Sequence, residues 1–242
     1  MTRTTPGTRT VRLATVIRGR DRGHADHGWL DTHHTFSFAG YHDPDRMGHR
    51  NLRVLNQDRI RGGTGFGRHP HRDMEIVSHV LSGALRHRDS MGNEGVIRPG
   101  DIQRMTAGTG VVHEEWNALD DETTEFLQMW VLPDAHGLEP GYDQRGLDLG
   151  DDWTLAAAPA SEGSPGAVGL HADAHLWISR PRAGTDLELD LPRPHGYLHV
   201  ARGRARLGDE TLASGDGAAL EGSGPLSVHA EEDSHLVLWG LP

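Results

Sequence analysis

Four residues in two short stretches carry the clearest chemistry in this sequence. His69 and His71 lie in Arg68-His-Pro-His-Arg72, and His113 and Glu115 lie in Val112-His-Glu-Glu-Trp116. In an extended strand residues i and i+2 share a face, so each pair would converge. Two such strands facing each other in a barrel would bring three imidazoles and one carboxylate to a single point. That donor set, free of thiolate, suits Fe(II), Mn, Co, Ni, Cu or Zn, and donor type alone does not choose among them. Four protein ligands leave positions open only around a five- or six-coordinate ion. This favours a redox-capable octahedral metal over closed tetrahedral structural zinc. Pro70 has no N–H to give a ladder, so this segment is expected at an edge or bulge, such as the mouth of a barrel.

Rival sites are weaker. His24, His27, His33 and His34 could bind metal, but they lie in a polar stretch without a clear strand, where a surface role outweighs a ligand role. Gly62 to Gly67 resembles a phosphate loop only in glycine content, without Gly-Lys-Ser/Thr or a following helix. No G-x-S-x-G elbow is present. Asp73 and Glu75 could orient the imidazoles from behind, or equally pair with Arg72 or Arg68 at the surface. Glu114 alternates with its neighbours and is expected to point outward.

The elements that must position these residues read as short strands. Val11–Arg20, Leu52–Asp58, Glu75–Leu81, Asp101–Met105, Val111–Trp116 and Glu125–Leu132 carry the strand pattern, and His33–Gly40 is a further β-like piece with aromatics at i and i+2. Pro99-Gly100 fits the centre of a type II turn, and Pro140–Arg145 reads as a single turn. No helical periodicity runs through 12 residues. The expected class is all-β, a barrel or sandwich.

The second half repeats the first in degraded form. Gly196–Gly203 matches Ile76–Gly83 at an offset of 120 residues, and Ala213–Asp216 matches Arg98–Asp101 at an offset of 115. At these offsets His69 and His71 become Leu189 and Leu191, while His113 and Glu115 become Val228 and Ala230. An apolar interior is the natural replacement where no metal is held, since unpaired polar groups there are costly. The expectation is therefore a flexible tail at 1–10, a metal-binding domain at 11–135 and a metal-free domain at 136–242, joined near 133–141 with a loop at 161–166.

Composition removes whole classes of function. There is no cysteine, which excludes disulfides, thiolate sites and cysteine nucleophiles. All 24 basic residues are arginine, so Schiff-base lysines and Walker lysines are absent too. A formal net charge of −11 argues against direct nucleic-acid binding or an anionic membrane surface. No apolar run approaches the roughly 18–20 residues of a membrane span, and the N-terminus has no signal-like apolar region. A cytoplasmic setting is expected. With 18 histidines in the chain, a lone histidine carries little information.

At these stretches the sequence resembles the pirin family of bicupins, in particular its bacterial quercetinase-like members. The resemblance rests on His34–Tyr41 (HTFSFAGY), Gly65–Ile76 (GFGRHPHRDMEI), Arg88–Asn93 (RDSMGN), Ala107–Asn117 (AGTGVVHEEWN) and Gln128–Pro133 (QMWVLP). It implies two antiparallel jelly-roll barrels facing each other, with metal only in the N-terminal one, on His69, His71, His113 and Glu115. Trp116 replaces a more usual Tyr, Phe or Met and is expected to reshape the pocket. The resemblance further implies one divalent transition metal, Fe(II) foremost with Ni, Co, Mn, Cu or Zn as alternatives. Its activity would be cleavage of a flavonol such as quercetin by O2 with release of carbon monoxide, Glu115 serving as base. The alternative is a non-catalytic, metal- or redox-dependent partner of a regulatory or metabolic protein. A monomer is expected. With aromatics at only 5%, a polyphenol pocket should be lined mainly by aliphatic side chains.

Overall fold

The computed structural model describes residues 10–242, so most of the tail expected at 1–10 lies outside the described residues. Strands and turns make up nearly all of it. The helical elements among the described residues are two short 3-10 turns, Gly19–Asp21 and Ala160–Glu162. None of them is long and apolar enough to cross a membrane.

In chain order the strands begin with β1 (Arg12–Ile17), β2 (Gly23–Asp26), β3 (Leu30–His34), β4 (Leu52–Ile60), β5 (Gly65–His71) and β6 (Glu75–Ser82). They continue with β7 (Leu85–Asp89), β8 (Glu94–Ile97), β9 (Asp101–Thr106), β10 (Val111–Asn117), β11 (Thr124–Val131) and β12 (Gly141–Gly146). The second half holds β13 (Thr154–Pro159), β14 (Val168–Leu170), β15 (His175–Ser179), β16 (Asp186–Leu191) and β17 (His195–Arg202). It ends with β18 (Arg204–Leu207), β19 (Glu210–Ala213), β20 (Gly217–Glu221), β21 (Gly224–Ala230) and β22 (His235–Leu241).

Each half closes a seven-stranded sheet over a four-stranded one. The first pairs β12-β9-β6-β11-β4-β3-β2 with β5-β10-β7-β8, and the second pairs β1-β20-β17-β22-β15-β13-β14 with β16-β21-β18-β19. These are two cupin-type barrels. The two large sheets pack on each other through one shared core, in which Val77, Leu127 and Met129 meet Leu176, Ile178 and Trp239. That is why β6 and β11 are buried on both faces and lack a polar side.

The two interiors differ in chemistry. The second is filled by Leu187, Leu198, Leu212, Leu226, Val228 and Leu238. The first has apolar layers around Phe126 and around Met105, but carries buried Asn56, Asp58, Ser78, His113, Glu115 and Gln128 as well. Buried polar groups persist only where they are partnered.

The internal repeat is real in backbone terms. Gly83 and Gly203 both take left-handed φ, +81° and +85°, and a Cβ on either would collide with Thr124 or Ser234. Gly100 (φ +94°), the glycine of the expected type II turn, matches Gly215 (φ +86°). Register corrects part of the sequence alignment, however. His69 lies opposite His113, whereas Leu189 lies opposite Leu226. With Ala205 opposite Ala230 as Leu85 is opposite Asn117, the counterparts of His113 and Glu115 are Leu226 and Val228. They stand two residues before the pair that the sequence offset picked. The replacements remain apolar.

Two further expectations change. Pro140–Arg145 is not a single turn: β12 runs antiparallel to β9, with Tyr142 opposite Met105. The domain ranges also cross. β1 pairs with β20 in the second barrel, while β12, from beyond residue 135, forms an edge of the first.

Between the large sheets, His79 and His235 meet Nε2 to Nε2 at 2.9 Å, and His79 Nδ1 donates to the Asp101 carbonyl at 2.8 Å. Burial pushes His79 down to about 4 and holds His235 well below the usual histidine range, with His79, Arg180 and Arg202 adding to the effect on His235. The unfolded chain, titrating near 6.5, binds protons that the folded chain does not. Stability therefore falls as pH drops from about 6.5 to 4, by roughly 1.4 kcal/mol per pH unit for each such group. Melting temperature measured across that window should decline, and His79→Gln should flatten the slope.

Candidate metal centre

β5 and β10 are neighbours in the four-stranded sheet, not strands facing across a barrel as the sequence suggested. His113 lies opposite His69 and Val111 opposite His71, and a register shift then sets Glu115 opposite Phe66. β5 is the outer strand of its sheet and carries the irregularity, in keeping with Pro70. The glycine run before it serves close approach. A Cβ on Gly65 would collide with the Glu115 carbonyl, and one on Gly62 with that of Asp120.

The three imidazoles converge. Ring centroids of His69 and His113 are 4.4 Å apart, those of His71 and His113 4.7 Å, and one donor nitrogen from each ring lies within 4.8 Å of the others. His71 Nε2 and His113 Nε2 approach to 2.9 Å. Burial, with His113 and His69 beside it, pushes His71 down to about 3, and burial with His69 and His87 does the same to His113. Bare nitrogens this close are stable only with a cation or a shared proton between them. The residues present therefore fit a divalent transition ion.

Glu115 stands beside this group. Its carboxylate clusters with His113 and His87, accepting from Gln128 Nε2 at 2.8 Å and from Ser78 Oγ at 3.3 Å. His69 donates from Nδ1 to the Gly67 carbonyl at 2.7 Å, which leaves Nε2 free to coordinate.

Behind His113 runs a support that sequence reasoning missed. His113 Nδ1 faces His87 Nδ1 at 3.4 Å, and His87 Nε2 reaches Asp89 at 3.2 Å. Burial raises the Asp89 carboxyl, but hydrogen bonds from Asn93, His87 and the Met91 amide outweigh it and hold the group low. Tyr142, on β12, packs its ring 5.0 Å from His87. Asp89→Asn should weaken metal affinity about 10- to 100-fold by loosening this support, as a chelator-competition titration would show. The sequence signal was available: Asp89 and Asn93 lie in the RDSMGN stretch.

A cavity of about 170 Å³ opens onto His69, His71 and Glu115, walled by Phe38, Phe66 and Trp130. The wall is aromatic, not aliphatic as composition suggested. Three of the 13 Phe, Trp and Tyr residues of the chain stand there, enough to set its character. Asp58 also faces this cavity, accepting a hydrogen bond from the Thr32 hydroxyl, and burial pushes it up to about 7. Asn56 beside it takes His34 Nδ1 at 2.9 Å.

The remaining candidates fall elsewhere. Asp73 accepts from the Gly137 amide and lies 3.7 Å from Arg72. Glu75 is fully buried on the face toward the second barrel and accepts from the His171 amide at 3.2 Å. Neither touches the imidazoles. Trp116 points out of the barrel at 37% exposure and takes no part in the cavity, so it does not reshape the pocket. Glu114 shares that outer face.

Comparison with known proteins agrees with this architecture. Residues 15–131 match the Pirin family and residues 157–241 match the quercetinase C-terminal cupin domain. The chain belongs to the pirin family. It is 38% identical over 227 residues to the quercetin 2,3-dioxygenase of Escherichia coli K12, covering 93% of this chain and 97% of that one. A pirin-like protein of Caulobacter vibrioides is 38% identical over 221 residues, covering 89% and 94%. Among solved structures, YhhW from Escherichia coli superposes with a TM-score of 0.90 at 36% identity, covering 96% and 98%. Bacterial pirin YhhW has also been solved in complex with nickel(II), and that structure gives 0.89 at 35% identity. This pirin therefore carries its candidate metal centre in the half that matches the family's namesake domain.

Proposed function

We propose that this pirin is a metal-dependent quercetinase, opening a flavonol with O2 and releasing carbon monoxide. The observation that carries the reading is the convergence of His69, His71 and His113, with Glu115 beside them, next to an aromatic-walled cavity that His69, His71 and Glu115 line. The relatives named quercetin 2,3-dioxygenase support it. His69, His71, His113 and Glu115 would hold one divalent ion, which we assign as Fe(II), with nickel the first alternative given the YhhW complex. When bound, that ion supplies Lewis acidity toward the 3-hydroxyl of the substrate and access to O2 chemistry.

The chain's own residues do the rest. Phe38, Phe66 and Trp130 hold a planar ring and exclude water. Glu115 accepts the 3-hydroxyl proton and returns it to the depside product, so the proton balance closes over quercetin plus O2 giving depside plus carbon monoxide. Gln128 and Ser78 keep the Glu115 carboxylate aimed at the site. The cavity, about 170 Å³, is smaller than the roughly 300–1,000 Å³ typical of ligand sites, so a flavonol would extend beyond it.

The test is metal analysis of purified protein with O2 uptake and carbon monoxide release on adding quercetin. Stoichiometric consumption and release are expected. Metal-replete protein that does neither would favour a regulatory binding role instead.

A further inference from the structure

The histidines near the N-terminus, set aside on sequence grounds, separate into distinct roles in the structure. His34 points into the first barrel against Asn56. His24 and His33 do not. They are directly opposite each other across the β2–β3 hairpin, with ring centroids 4.4 Å apart and planes 24° from parallel. Asp31 lies two residues before His33 on the same outward face. Its Oδ1 is 2.9 Å from His24 Nε2 and 3.7 Å from His33 Nδ1. One donor atom from each of the three lies within 4.8 Å of the others.

We propose that His24, Asp31 and His33 form a second divalent metal site, separate from the centre on β5 and β10. The ligand class is a borderline-soft first-row ion such as Zn(II), Ni(II) or Cu(II), which two imidazoles and one carboxylate suit. An ion bound at 2.0–2.2 Å needs donors roughly 3.0–3.5 Å apart. The His24–Asp31 spacing is there already, and His33 must close in from 3.7 Å on Asp31 and from within 4.8 Å on His24.

The hairpin supplies rigidity. Buried Leu30, Thr32 and His34 alternate with outward Asp31 and His33, and β3 is locked to β4 on its other side. Three protein ligands leave further positions to water. The site lies at the mouth of a cleft of about 310 Å³ that also reaches Gln57, Glu125 and, from the second half, Gly215. Opposing charge is present too. Arg59 stands opposite Asp31 on β4, and Arg22 donates to the His33 carbonyl. Binding weaker than at the three-imidazole centre follows from that charge and from exposure.

Equilibrium dialysis of metal-stripped protein against Zn(II), followed by elemental analysis, decides the matter. Wild type should take up two ions per chain. The double variant His24→Ala/His33→Ala should take up one and keep turnover, since neither residue belongs to the cavity. His69→Ala/His113→Ala should also take up one, and Zn(II) should still raise its melting temperature. Adding His24→Ala/His33→Ala to that background should abolish both the uptake and the rise. Two ions retained in His24→Ala/His33→Ala would overturn the proposal. So would one ion in wild type with none in His69→Ala/His113→Ala, an outcome that leaves the first centre standing.

Discussion

His113→Ala is expected to lose bound metal and flavonol turnover together. His113 is the residue on which the site converges: its Nε2 faces His71, its ring lies 4.4 Å from that of His69, and its Nδ1 faces His87. Removing it breaks the three-imidazole group and the outer support in one step. A metal ion contributes several kcal/mol of charge stabilisation to such chemistry, and each 1.36 kcal/mol is tenfold in rate. Turnover should therefore fall about a thousandfold or more, with metal content near zero at the first centre. Counting metal in the His24→Ala/His33→Ala background removes ambiguity from the second. Normal metal content with full turnover would show that the ion is held elsewhere.

Glu115→Gln should separate the two properties. The amide keeps the shape of the carboxylate and can still present an oxygen to Gln128 Nε2, so the pocket stays packed. It cannot take a proton. Loss of a positioned general base costs typically 10²–10⁴-fold, so kcat should drop by that order. The three imidazoles should still retain the metal, with affinity reduced. The measurement is paired: steady-state O2 uptake alongside metal content in one preparation. Unchanged turnover would remove Glu115 as base, and complete loss of metal would make it chiefly a ligand.

The candidate ligand residues were legible in the sequence because i, i+2 spacing is a local property that strand geometry converts into a shared face. Their supports were not legible from spacing, although Asp89 lies in the RDSMGN stretch. His87 and Asp89 reach His113 from the neighbouring β7, and nothing in the spacing of β10 announces which strand lies beside it. Gln128 and Trp130 alternate inward on β11, yet the doubly buried strand masks that alternation. β12 was misjudged because Gly141–Gly146 carries no apolar alternation, and its edge position demands none. The repeat slipped by two residues because apolar side chains at every second position match equally well in either register. Composition misled in its own way, since a total count of aromatics says nothing of where they gather.

The crossing of β1 and β12 bears on how this protein can come apart. Each barrel borrows an edge strand from the far side of the chain's midpoint. A cut near residue 135 would leave one fragment holding β1 without its β20 partner and lacking β12 with its Tyr142. The other fragment would lack β1. Neither piece is a finished barrel. The halves are two barrels by architecture but one by assembly, laced at both margins, and they should melt in a single cooperative transition. Severed halves should recover their fold only when mixed.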